Sequence, residues 1–404
     1  MEHNPFLRIP KPSNIVHLRL NLNLFYHFVF FIVGISLGTV VTLYFKTFSF
    51  HLQYFLYHVN PASSEPPYRP QAPTLAPPST QPEQNLLMSG TSIIRSTTKV
   101  SLMHNMTDQE LFSEAIKVQG MKQDDDFKKK NPKVAFMFLA KGSLPLGPLW
   151  ERFFKGHEGF YNIYLHQHPS FNKTLPEDSV FFGRRIPSQP VFWGTSTMID
   201  AERRLVANAL FDDISNQRFV LLSESCIPLF NFKTIYNYLI NSSRSFLSTF
   251  DDPRKPGRGR YNPKMSPMIN ITNWRKGSQW FELHRDLAIK LVSDTTYYPI
   301  FQKLCRPPCY MDEHYIPTFV HMKYDKMNSK HSITWVDWSR GGPHPGRFGW
   351  GDITDEFLNR IRYGGHCTYN GNVTNVCFLF ARKFMPNALE PLLRIAPLLL
   401  GFDP

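Results

Sequence analysis

Asp312, Glu313 and His314 stand in a row, followed by Tyr315 and preceded by Cys305-Arg306-Pro307-Pro308-Cys309-Tyr310. Two carboxylates and an imidazole so close together suit proton transfer, and a carboxylate within reach of a substrate hydroxyl can act as its general base. Other readings of the same residues stay open. Glu313 paired with Glu224 would suit glycoside hydrolysis. Cys305 and Cys309 with His314 and His321 could hold zinc, although not at the usual spacing; in an oxidising compartment the two thiols would instead form a disulfide. Asp312 reads as a cap or structural acceptor, and His314 as either an orienter of the carboxylate or part of a wall.

The elements that must position this cluster follow an α/β pattern. Val134 to Leu139 is a buried-strand run, Pro148 opens a helix through Phe154, and Asn162 to Leu165 is the next strand. Asp200 to Leu210 puts Ala201, Leu205, Val206, Ala209 and Leu210 on one helical face, and Phe219 to Leu222 follows as a strand. Ser223-Glu224-Ser225-Cys226 then lies at a strand's carboxyl end, where open α/β sheets bind ligands. A helix from Asn231 to Leu239, a strand around Phe246 to Phe250 and a loop, Arg254-Lys255-Pro256-Gly257-Arg258-Gly259-Arg260, come next. Neither G-x-G-x-x-G nor G-x-x-x-x-G-K-[ST] occurs, so a bound nucleotide would not rest on a glycine-rich loop. The region 132–404 is long enough for one large domain with its own core.

Three segments precede that domain. Residues 24–45 hold no charged side chain and are rich in Leu, Phe, Val and Ile, long enough for a bilayer-spanning signal-anchor. Arg8, Lys11 and Arg19 precede it and Lys46 alone follows closely, so the tail 1–23 is expected in the cytosol and the rest in the lumen. Residues 46–131, dense in Pro, Ser, Thr and Gln between Pro61 and Pro82, read as a stem. Sequons at Asn105, Asn172, Asn241, Asn270 and Asn372 all follow the anchor, as do all five cysteines. The simplest local pairs are Cys305 with Cys309 and Cys367 with Cys377, although connectivity is not fixed by sequence. The formal charge of +13, from 45 basic and 32 acidic residues, would suit nucleic acid in another compartment. Behind an anchor it suits an anionic ligand, such as a sugar nucleotide or acidic glycan.

Phe219 to Leu229, Arg275-Lys-Gly-Ser-Gln-Trp-Phe281, Met311-Asp-Glu-His-Tyr315 and Cys377-Phe-Leu-Phe-Ala-Arg-Lys-Phe384 together resemble the core-2/I-branching β-1,6-N-acetylglucosaminyltransferase family, and its plant branch more closely. The resemblance covers about Pro132 to Leu393. It implies a Rossmann-like GT-A domain behind the transmembrane helix and stem, in a type II Golgi membrane enzyme that moves a sugar from a nucleotide donor, UDP-linked by family habit, to a glycan hydroxyl with inversion. Glu313 then matches the catalytic base. No Asp-x-Asp follows the relevant strand, where Glu224 stands on the donor side, so no metal or other cofactor is expected. The family's cations are matched by Lys383 and by Arg360 or Arg362. Trp193-Gly194 parallels a donor-side segment. His166 stands where an acidic uridine contact is missing, and Cys226 matches a cysteine by the donor cleft and is the expected free thiol. Trp274, Trp280, Arg260 and Tyr261 are candidates for the acceptor groove. A non-catalytic glycan-binding protein on the same fold is the alternative to the enzyme.

Overall fold

A strand covered by helices on both faces must be apolar on both, and Lys133–Ala140 (β1) is buried along nearly its whole length. A computed structural model describes residues 28–36, 101–121 and 131–402 of the chain, which divides into the units Met1–Ser92 and Ile93–Pro404. In the first unit, residues 28–36 form a helix (α1) with exposed apolar side chains. The rest of the span expected at 24–45, and most of the expected stem, lie outside the described residues. Among the described residues no helix is long and apolar enough to cross a membrane.

The second unit starts before Pro132. Within the expected stem, Asp108–Met121 (α2) buries Leu111 and Ala115 in the core, and Asp108 accepts two hydrogen bonds from Arg204 at 2.6 and 2.5 Å. The packed body therefore includes residues 101–121. After β1 come Gly147–Phe154 (α3), Tyr161–Gln167 (β2), Ser196–Asp212 (α4), Asn216–Ser223 (β3), Ile227–Pro228 (β4) and Phe232–Ile240 (α5). Then follow Glu282–His284 (β5), Arg285–Val292 (α6), Tyr298–Leu304 (α7) and Met311–Tyr324 (α8). Thr334–Val336 (β6), Asp355–Tyr363 (α9), Cys367–Tyr369 (β7), Asn372–Thr374 (β8), Phe380–Arg382 (β9) and Leu389–Ile395 (α10) complete the domain.

The main sheet has the order β2-β1-β3-β5, with β5 antiparallel to its neighbour and the others parallel. Alternation along β1 assigns its faces: Ala135 and Met137 join the apolar cluster of α4, α6 and α8, whereas Val134, Phe136 and Phe138 join that of α3 and α5. Phe136 meets Trp150, Phe153 and Phe154 edge to face, and burial of each such ring is worth roughly 1.5–3 kcal/mol. A smaller sheet, β4-β9-β6, abuts the end of β3, and β7-β8 is a separate hairpin. The disulfides are Cys305–Cys309 and Cys367–Cys377, and Cys226 is a buried free thiol. With both thiols of the first pair oxidised, the zinc reading of Cys305 and Cys309 falls. All five sequon asparagines are exposed.

Candidate active site

Past the carboxyl end of β3 the chain changes from a regular ladder to isolated bridges, and there the acidic cluster is assembled. Phe246 and Glu282 exchange backbone hydrogen bonds at 2.9 Å, as do Phe250 and Lys276. The strand expected at Phe246 to Phe250 thus pairs by backbone at its two ends, and between them the Asn328 side chain accepts from the Leu247 N–H at 3.1 Å and donates to Thr249 Oγ1 at 3.2 Å. Gly277 comes so near the facing chain that a Cβ would lie 2.0 Å from the Ser248 carbonyl oxygen and 2.7 Å from Pro317 Cγ. A residue without Cβ lets the segment settle against α8, where the Gly277 N–H donates to the Glu313 carbonyl at 2.8 Å. Lys276 is thereby fixed beside Glu313.

Glu313 lies in the first turn of α8. Its Oε2 accepts from Lys276 Nζ at 2.5 Å and from Arg260 Nη1 at 2.6 Å, and the side chain is 25% exposed. Burial alone would raise this carboxyl; the charges and hydrogen bonds of Lys276 and Arg260 outweigh it and hold the group below its ordinary value. Glu313 is therefore ionised at neutral pH, with Oε1 left for another donor.

Arg260 is aimed by a folded loop. Arg254 pairs with Asp252 and Arg258 with Asp251, so these two cations of the basic run are neutralised within it. The Arg258 N–H donates to the Asp252 carbonyl at 2.7 Å, and Gly257 packs where a Cβ would meet that same oxygen at 2.2 Å. Trp274 Nε1 clamps the Gly257 carbonyl at 3.1 Å. The Arg260 guanidinium in turn lies 4.5 Å from the ring centre of Tyr310, and Tyr310 touches the Trp193 ring at 4.7 Å.

Asp312 and His314 serve the wall. The His314 ring stacks on Trp274 at 4.6 Å and its Nδ1 bonds the Arg275 carbonyl at 2.9 Å; the Arg275 N–H donates to Thr318 Oγ1 at 3.0 Å. Both bonds fix the residue before Lys276. Burial pushes the imidazole down to about 4, so it is neutral. Tyr315 is buried and donates to Asp294 at 2.8 Å. Asp312 is enclosed, and burial, then the charge of Glu313, lifts it to about 6. Glu202 on α4, bonded by Gln279 at 2.9 Å, is raised well above its ordinary value by burial and then by Asp312.

Because folding tightens proton binding at Asp312, wild-type stability falls as pH rises from 3.8 through about 6. Asp312→Asn lacks that fall. Urea unfolding is expected to find the variant more stable at pH 8 by up to about 3 kcal/mol, with the gap closing below pH 4.

A second group of charges forms where β9 ends. Lys383 follows Arg382, whose guanidinium covers the Trp280 ring at 4.1 Å. The Phe348 N–H donates to the Lys383 carbonyl at 3.0 Å, which brings Arg347 alongside, and the Phe384 N–H donates to the Ser225 carbonyl at 3.0 Å, which brings Glu224. Burial first, then the positive charge of Arg382, depresses the Lys383 ammonium, with Glu224 opposing. Lys276 to Trp280 joins the two groups of charges, four peptide steps that span at most about 14 Å. A cavity of about 270 Å³ elsewhere, lined by Ser243, Arg244 and Asn370 among others, contains none of these groups.

A basic cluster and an ionised carboxylate joined by the short stretch from Lys276 to Trp280 suit group transfer from a phosphorylated donor, and comparison with known proteins agrees. The profile of the Core-2/I-Branching enzyme family matches residues 134–362, more than half of the chain. The chain belongs to this family. It is similar to glycosyltransferase BC10 of rice, Oryza sativa subsp. japonica, with 36% identity over 300 residues, covering 63% of this chain and 74% of that protein. This places it in the plant branch of the Core-2/I-branching enzymes, which are glycosyltransferases; such an enzyme uses a nucleotide-sugar donor and a glycan acceptor.

Within this Core-2/I-branching enzyme the expected site residues separate. Glu313 and Arg260 come together, with Trp193 joined to Arg260 through Tyr310, and Lys383 lies near Glu224. Arg362 does not join them: it is buried, with its guanidinium 4.6 Å from the Phe230 ring centre and bonded to Asn359. Arg360, on another face of α9, is exposed over Phe357, whose ring meets Phe384 at 6.4 Å. His166 is buried and bonded to Arg204 at 3.0 Å, and burial followed by the Arg204 charge lowers it to about 3. It faces the core side of α4 rather than an open cleft. Trp274, expected in an acceptor groove, is 1% exposed and sandwiched by His314 and Phe301. Tyr261 is half-buried, with its hydroxyl on the Ile269 carbonyl, and Trp280 is buried beneath Arg382. Lys276 and Arg347 were not foreseen. Lys276 stood inside a recognised motif, next to a glycine whose need for space marks a close approach; Arg347 has no comparable signal.

Proposed function

We propose that this enzyme catalyses inverting, metal-independent transfer of a sugar from a UDP-linked donor to a glycan hydroxyl, as a type II membrane protein of the Golgi. The observation that carries the reading is Glu313, held ionised by Lys276 and Arg260 with one oxygen open. In the reaction Glu313 takes the proton of the acceptor hydroxyl as that oxygen attacks the anomeric carbon. The bond from the anomeric carbon to the diphosphate oxygen breaks at the same time, and its electron pair leaves with the phosphate. Lys383, with Arg347 alongside, supplies positive charge for the developing phosphate anion, the electrostatic work that a divalent ion does in many other transferases. Among the described residues no three His, Cys, Asp or Glu side chains converge on a common point. A glycoside hydrolase needs a second carboxyl, held protonated and facing the ionised one across the substrate. Glu224, the candidate partner, stands with Lys383 rather than with Glu313, and the neighbouring Asp312 is enclosed.

The test is incubation of the full-length protein with a panel of labelled nucleotide sugars and mixed glycan acceptors. Labelled glycan is expected with a UDP-sugar, of inverted anomeric configuration, at a rate unchanged by EDTA. Free sugar as the sole product would indicate hydrolysis; loss of activity in EDTA with rescue by manganese would overturn the metal-independent mechanism.

A further inference from the structure

Trp193 is an exposed aromatic side chain, linked to the proposed base through Tyr310 and Arg260, that the mechanism above leaves unused. It is 64% exposed, and Phe192 before it is 61% exposed. An isolated exposed apolar residue is ordinary on a protein surface, but this one is built in. Its ring lies 4.7 Å from Tyr310 at an interplanar angle of 34°, and on Tyr310 the Arg260 guanidinium is seated at 4.5 Å, the same guanidinium that binds Glu313. The turn that presents the indole is held from behind. Gly194 adopts φ +78°, and a Cβ there would meet Tyr310 at 3.1 Å and Pro307 at 3.6 Å. Pro307 belongs to the loop closed by the Cys305–Cys309 disulfide. On its other side the turn leads directly into α4, whose N-cap Thr195 accepts from the Thr197 N–H. An exposed indole is thus anchored between a disulfide-closed loop and a helix start, joined through Tyr310 and Arg260 to the base.

We propose that Trp193 and Tyr310 form a stacking subsite for a pyranose ring of the acceptor, rather than the donor contact that the sequence suggested for Trp193. This rests on Glu313 as the base. The base must touch the acceptor hydroxyl, and the aromatic pair reaches Glu313 through Arg260, whereas Lys383 and its cations stand on β9 and the chain around it. An indole covers the apolar C–H face of a sugar, and the adjoining guanidinium donates to the hydroxyls at the ring's edge. The ligand class is therefore a neutral pyranoside with one face free of axial hydroxyl groups, bound independently of the nucleotide.

Saturation-transfer NMR on the full-length protein, with UDP and a panel of methyl pyranosides (galacto, gluco, xylo, manno and N-acetylgluco), tests this. Ring-proton signals from at least one pyranoside are expected with wild type and with Trp193→Phe. Trp193→Ala should weaken that binding about tenfold while UDP signals persist. Pyranoside signals equal in wild type and Trp193→Ala, no signal from any pyranoside, or loss of UDP signals in Trp193→Ala would each overturn the proposal. Glu313→Gln separates it from the reading on which it rests: that variant should still bind the pyranoside, and if it also still transferred sugar, the base assignment would fail while the stacking subsite stood.

Discussion

Glu313→Gln is expected to lower the turnover of sugar transfer by about 10²- to 10⁴-fold with the fold intact, the range that a positioned general base supplies. The substitution keeps the side chain's shape and an oxygen that can accept from Lys276 and Arg260, which bond to Glu313 at 2.5 and 2.6 Å. What it removes is the capacity to take a proton from the acceptor hydroxyl. Nucleotide binding should be unaffected, because Lys383 lies in the other group of charges. The same two cations set the pH dependence. They hold the carboxyl below its ordinary value of 4.5, so the rate should stay level as pH falls to about 5 and decline only below 4.5, where Glu313 takes up a proton. Rate measurements across this range, on wild type and variant, check both statements. Near-wild-type turnover in Glu313→Gln would remove the residue from the chemistry.

The second large effect is structural. Gly277→Ala puts a methyl group 2.0 Å from the Ser248 carbonyl oxygen and 2.7 Å from Pro317 Cγ, one a backbone atom and the other part of a ring within a helix, so neither can swing aside. Overpacking of this kind typically costs 1–3 kcal/mol and occasionally more; about 3 kcal/mol or greater is expected here. Moving the segment also stretches the Gly277 N–H bond to the Glu313 carbonyl and draws Lys276 from the carboxylate. Transfer activity should therefore fall even at temperatures where the variant is folded. Gly351→Ala is the control, since a Cβ there meets nothing within 4 Å and should change stability by less than about 0.5 kcal/mol. Denaturation curves of the two variants that coincide would contradict the close approach at Gly277.

Local patterning made the central fold legible. β1, β2 and β3, with α3, α4 and α5 between and after them, fall where apolar runs and helical spacing put them, because strands and helices covered by the core must repeat with the sheet's or the helix's period. The regular strand expected around Phe246 is instead a pair of isolated bridges, because its pairing depends on Lys276 and Glu282, far along the chain. Likewise α2, in a stretch read as stem, is a helix docked by Leu111, Ala115 and the Asp108–Arg204 pair, contacts made with distant residues.

By itself the sequence pointed to the α/β class, the two local disulfide pairs as the simplest choice, the free Cys226 and Glu313 as the candidate base within a recognisable set of motifs. Those features are local or are carried by residue type. Tertiary structure alone decided the partners of the carboxylate. Lys276 and Arg260 reach it from 37 and 53 residues away. It also decided which aromatic and cationic candidates lie inside: Trp274, Trp280, His166 and Arg362 are enclosed, while Trp193 and Arg360 remain open. The physical reason is that a side chain's type limits the chemistry it can do, but its charge state and availability depend on what the fold packs around it. For Glu313 that packing sets two cations against burial, and the cations prevail.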